Sequence, residues 1–138
     1  MIHAAPQVDF SGVALVESLE VGIAKVNGRS APAVRFHLEQ SGNKYPIMAS
    51  GHVAAEIYAY CLAAAKGGGK EIHAKVMGTL LMDVGGNAVI SATSVVWYTS
   101  AEMREQAANS ILGVFDKKER DATRFKFCTK PLVEIESR

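Results

Sequence analysis

The stretch Ser50 to Gly69, SGHVAAEIYAYCLAAAKGGG, decides how the rest of the chain is read. Val53, Ile57, Tyr60, Cys61 and Ala64 recur at helical spacing. The alanines favour a helix, Ser50 is of the type that caps a helix start, and Gly67-Gly68-Gly69 stops it. Both flanks read as strand. Upstream, Ala33 to Glu39 alternates, with Val34, Phe36 and Leu38 facing one way and Arg35, His37 and Glu39 the other. Ser41-Gly42-Asn43-Lys44 makes a hairpin connection into a third strand, Tyr45 to Ala49, where Pro46 marks an edge or a strand start. Residues 8–19 form a long first strand that Val21 and Ile23 extend. Val8 and Phe10 hold one phase and Val13 and Leu15 the other, so a bulge or sharp bend is expected at Ser11-Gly12. Val26 to Pro32 is dense in turn formers and predicts a loop.

Downstream, residues 71–81 place Ile72, Ala74, Val76, Gly78 and Leu80 on one face. Asp83 to Asn87 is a loop, and Ala88 to Tyr98 is a β-branched strand. Its phases set Trp97 with Val89, Ser91, Thr93 and Val95, and Tyr98 with Ile90, Ala92 and Val96, which predicts Tyr98 inside. Beyond it, Thr99 and Glu102 fit a capping box. Met103, Ala107, Ile111 and Leu112 supply a helical stripe that Gly113 ends. Asp116 to Asp121 reads as a charged loop, and Arg124 to Lys130 as a last strand ended or bent by Pro131.

One helix between the third and fourth of five strands is the element order of an OB-fold barrel, and a bent first strand serving both sheets fits it. The expected fold class is all-β with added helices: a five-stranded OB-fold barrel with one helix between strands 3 and 4 and a C-terminal helix plus strand extension. Residues 8–98 form the barrel domain and 99–138 an extension packed on it.

Composition narrows the function. The 138 residues are 49% hydrophobic and 21% charged, enough to bury a core without metals or disulfides. Fifteen basic against fourteen acidic residues leave +1. That excludes a polycationic binder and leaves room for a local basic patch. Cys61 and Cys128 sit in apolar stretches with no CxxC, as two free thiols of a reducing cytosol would. The N-terminus lacks a basic region followed by an apolar run, and the run from Val53 to Ala65 contains Glu56 and is too short to span a bilayer. A cytoplasmic protein with no membrane partner is expected. GxSxG, HExxH, P-loop and paired-carboxylate spacings are absent; Gly67-Gly68-Gly69-Lys70 lacks phosphate-loop spacing. His3, His37, His52 and His73 are scattered and form no recognisable metal set. No catalysis, cofactor or metal is expected.

Four groups of residues then carry a resemblance: Phe36-His37-Leu38-Glu39; Ala49-Ser50-Gly51-His52 with Ala54-Ala55-Glu56; Val76-Met77-Gly78-Thr79-Leu80; and the strand Ala88 to Tyr98. The stretch they span resembles bacterial single-stranded-DNA-binding proteins and their relative, primosomal replication protein N, over residues 8–98. The resemblance implies single-stranded DNA binding in replication, recombination or repair, by a homodimer or homotetramer. The chain departs from the family in ending Val133-Glu134-Ile135-Glu136-Ser137-Arg138. It lacks the long tail with an acidic tip, which points to a specialised or mobile-element-borne version.

Single-strand binders need a positive groove and aromatic faces on which bases stack. OB folds place this surface on strands 2 and 3 and on the 1–2 and 4–5 loops. The candidates are Lys25 and Arg29 beside the first loop, Arg35 and His37 on strand 2, Lys44 and Tyr45 opening strand 3, His73 and Lys75 on strand 4, and Trp97. Phe36, Phe125 and Phe127 are assigned to packing. Aromatics are thin at 7%, and the 4–5 loop carries Asp83 and no basic residue. Weak sites would therefore need multiplying in an oligomer. The partner expected is single-stranded DNA or RNA. The alternative, prompted by the near-zero charge and few aromatics, is an OB-fold protein-interaction or structural module.

Overall fold

The computed structural model describes residues 6–116 and 130–136. In chain order the elements are β1 (Gln7–Val26), β2 (Arg29–Gln40), β3 (Asn43–Ser50), α1 (Gly51–Lys66), β4 (Glu71–Met82), β5 (Ala88–Tyr98), α2 (Ala101–Asp116) and β6 (Pro131–Ile135). The first five strands close on themselves in the order β1-β2-β3-β5-β4-β1. A short parallel contact, Ile47 with Ile90 and Met48 with Ser91, makes the closure. The other four seams are antiparallel. Alternation sets the interior: Val34, Phe36 and Leu38 of β2 and Val76 of β4 are fully buried. Ile57, Cys61 and Ala64 of α1 pack into the same core. Burial pushes the Cys61 thiol up to about 12. Cys128 lies outside the described residues.

β1 is shared between both sides of the barrel, as closure demands. Gln7 to Leu15 pairs with β4, and Val13 to Val26 pairs with β2. Its irregularity lies between Leu15 and Glu20, not at Ser11-Gly12. The phase before it is unbroken: Val8 and Phe10 pack on the core with Ala14. Val13 and Leu15, half-buried, therefore face outward. An apolar residue on an outward face was the misleading signal.

Further expectations change. The loop at Val26 to Pro32 shrinks to Asn27-Gly28, whose φ values of 50° and 80° suit a tight hairpin turn; Arg29 to Pro32 are strand. In β5, Met77 pairs with Ser94 but Gly78 with Ala92, so Thr93 is bulged out. The bulge switches the inward phase from Ile90 and Ala92 to Val95 and Trp97. Trp97 is therefore core at 4% exposure, and Tyr98 is outside at 50%. Finally, α2 starts at Ala101, with the Ser100 hydroxyl accepting from the Met103 backbone N–H at 3.2 Å. The helix runs through Gly113 to Asp116. The expected strand at Arg124 to Lys130 lies almost wholly outside the described residues; Pro131 opens a strand, β6.

β6 runs parallel to the end of β1, pairing across Ile23 to Val26. Its carbonyls also accept from turn amides on both sides: Asn27 donates to Ile135 at 2.8 Å, and Val84 donates to Glu134 at 2.9 Å. Leu132, Val133 and Ile135 thereby bury a second, outer cluster with Ala24, Ala33, Met48 and Val89. Gly22 sits beneath the start of β6, where a Cβ would lie 2.1 Å from the Lys130 carbonyl oxygen. Only glycine lets the strand settle there.

Candidate nucleic-acid interface

The outer face between the 1–2 turn (Asn27-Gly28) and the 4–5 turn (Asp83 to Asn87) is where an OB barrel takes ligands. β6 lies across part of it, hydrogen-bonded to both turns. The expected cations divide according to that strand.

Arg35 is on this face but is not open to a ligand. Its Nη1 donates to the Leu132 carbonyl at 2.6 Å and its Nη2 to Glu20 Oε1 at 2.9 Å. Its Nε is buried without a hydrogen-bond partner. Glu20 is also held by a close contact from the Lys130 ammonium. The Lys130 and Arg35 hydrogen bonds hold the Glu20 carboxyl at about 2, well below its ordinary 4.5. Arg35 thus fastens β6 to β1 and β2. Lys25 faces Glu134 of β6 at 3.9 Å, an exposed and weak pair. Arg29, exposed at the start of β2, lines an open cleft.

The remaining candidates sit elsewhere. Lys44 is exposed at the start of β3, opposite Glu39. His37 is half-buried between Leu15 and Pro46 in the pairing register. Tyr45, expected as a stacking surface, has its ring edge-on against Phe10, centroids 5.4 Å apart, and packs against the core. His73 and Lys75 are on β4, opposite Tyr98 and Val96 of β5, with Lys75 3.4 Å from Asp9. Trp97 offers bases nothing. It stacks on Tyr60 at 4.8 Å and its Nε1–H donates to Glu56 Oε1 at 2.9 Å. The structure therefore keeps Arg29 and Arg35 on one outer face, turns Lys25 to the opposite face of the β1–β2 arm beside Glu134, and sets His73 and Lys75 on β4. Sequence reasoning missed Met48, Ser50 and Ser91, which line the cleft beside Arg29. Their outward phase was readable, but the parallel contact that brings β3 to β5 was not.

Among the described residues there is no group of three or more His, Cys, Asp or Glu placed to hold a metal ion. No described helix is long and apolar enough to cross a membrane.

Comparison with known proteins agrees with this geometry at the level of the fold. No protein-family model and no curated protein matches the sequence. Among solved structures, the SSB domain of a Synechococcus sp. protein superposes with a TM-score of 0.51 and 14% identity, covering 69% of this chain and 97% of that one. The fold is an OB barrel. Helix α2 and strand β6 are additions to its five strands.

Proposed function

We propose that this OB barrel binds single-stranded nucleic acid without catalysis, by electrostatic tracking of the backbone with little dependence on sequence. The observation that carries this reading is the barrel's likeness to an SSB domain, combined with an exposed Arg29 on the open part of the ligand-binding face. Arg29 is the leading contact, with Lys25 and Lys44 as outer cations. His37 lies between them on β2. His73 and Lys75, with the exposed Tyr98, offer a second track across β4 and β5. The half-exposed apolar residues Val96 and Tyr98 on that same face also suit self-association into a homodimer or homotetramer. Work on single strands in replication, recombination or repair in the cytoplasm fits this binding.

A second reading rests on one observation. The groove already holds polypeptide, since β6 lies in it as an added strand. A protein-interaction module would use the same face to take extended peptide. Fluorescence polarisation with a labelled oligo-dT strand at low and moderate salt, against a duplex control, separates the two. Salt-sensitive binding that prefers the single strand is expected. Absence of binding even at low salt would overturn the first reading in favour of the second.

A further inference from the structure

β6 covers only part of the outer face. Beyond it, between the tip of the β1–β2 arm and the β3–β5 seam, an open cleft of about 620 Å³ remains. Ala24, Ala31 and Met48 give it an apolar floor, and Arg29, Ser50 and Ser91 give it a polar margin. Ser50 stands at the start of α1 yet makes no side-chain capping bond there, so that role does not engage its hydroxyl. The volume lies in the range of about 300–1,000 Å³ usual for small-molecule sites.

The described aromatics leave a gap that this cleft fills. Trp97 is stacked on Tyr60 and lies tilted against Phe36, and Tyr45 is held against Phe10. None of them supplies a stacking platform near Arg29. Met48, only 5% exposed, brings a polarisable thioether to the floor of the cleft, and thioethers pack well against flat π-systems. Hydroxyls both donate and accept, so Ser50 and Ser91 meet the edge of any base without selecting one. A guanidinium at the margin suits a phosphate.

We propose that this cleft seats one nucleobase of a bound strand, against Met48 and between Ser50 and Ser91, with Arg29 on the adjoining phosphate. The proposal rests on the single-strand reading above and adds a base-binding position to it. A free mononucleotide presents the same chemistry, so the test includes one. The full chain, carrying 13C-labelled methionine methyls, is titrated with oligo-dT, with a strand of the same length made wholly of abasic units, and with dTMP. Oligo-dT is expected to move the Met48 methyl signal, and the abasic strand, which keeps the phosphates, is expected to leave it in place. Arg29→Glu, at an exposed position, and Ser91→Trp, which fills the cleft, are each expected to weaken oligo-dT binding by about ten-fold. Circular dichroism checks that Ser91→Trp folds, and Arg29→Glu carries the test if it does not. Oligo-dT that binds while the Met48 signal stays still, or an abasic strand that moves it equally, would overturn the seat and leave the single-strand reading standing. Failure of oligo-dT to bind at all would overturn that reading. If dTMP alone then moved Met48, the seat would survive as a site for a free nucleotide.

Discussion

The barrel interior and the patch under β6 are both apolar, but they are built differently. The interior draws on large residues at alternate positions of neighbouring strands, with Phe36, Leu38 and Ile47 at 0% exposure, and on Ile57 of α1, also at 0%. The patch uses the opposite faces of the same strands. Ala24, Ala33, Met48 and Val89 are small or flexible, and they are buried only because Leu132, Val133 and Ile135 arrive from the far end of the chain. Each of those three side chains gains about 1.5–3 kcal/mol on burial. Fixing the five residues of β6 costs about 1–2 kcal/mol apiece. The two totals nearly cancel. β6 is therefore held by its hydrogen bonds and ion pairs, while the barrel is held by its core.

The largest test of that contrast is Phe36→Ala. It should cost the barrel about 3–5 kcal/mol, the usual range for emptying a buried aromatic site, read as a shift of the urea midpoint. A loss below about 1 kcal/mol would mean that the interior is not the principal core. Gly22→Val probes the other region. Its side chain would collide with the Lys130 carbonyl and Leu132, pushing β6 away. Hydrogen exchange should then speed up at the Ile23, Asn27 and Val84 amides, which donate to the carbonyls of Lys130, Ile135 and Glu134. The amides of Val34 and Phe36 should stay protected. Loss of protection in both sets together would show that barrel and β6 form one cooperative unit.

The same contrast explains what could be read from the sequence. The barrel was legible because a single helix interrupts five strands and because Val34, Phe36 and Leu38 alternate without fault. The β1 break and the β5 bulge were not. Each inserts residues into a strand without a glycine or proline to mark it, and Thr93 alone moves Trp97 from the outward phase to the inward one. Of the candidate site, the exposure of Arg29 and Lys44 beside hairpin turns was legible, though the sequence puts Arg29 in the loop and the structure puts it in β2. The capture of Arg35 was not, because its partners Glu20 and Leu132 lie 15 and 97 residues away in sequence. The patch was invisible for a related reason: Ala33 and Met48 look like solvent-facing positions until a distant strand covers them.

The ion pairs fastening β6 give a smaller, pH-dependent effect. The Glu20 carboxyl sits at about 2 in the fold against an ordinary 4.5. Its contribution to stability is thus fully present above about pH 4.5 and is lost as the pH falls towards 2. Because the group is partly open to solvent, the amount is about 1 kcal/mol or less. Glu20→Gln should flatten the acid limb of a stability-against-pH curve in that window and leave the neutral-pH shape unchanged. An acid limb identical in both proteins would remove Glu20 as the fastening group.

The smallest effect asks whether the uncovered part of the outer face differs in function from the part under β6. Each phosphate contact contributes about 0.7 to the slope of log affinity against log salt for a single strand. If Arg29 contacts a phosphate, Arg29→Ala should lower that slope by about this amount and weaken binding to all sequences alike. Lys25→Ala should change it less, because Glu134 already faces that ammonium at 3.9 Å and competes with any phosphate. Adding Glu134→Gln should free Lys25 and steepen the slope. Equal slopes for wild type, Arg29→Ala and Glu134→Gln would mean that the strand does not pass along this face. Attention would then move to His73, Lys75 and Tyr98 on β4 and β5, where the same measurement on Lys75→Ala decides.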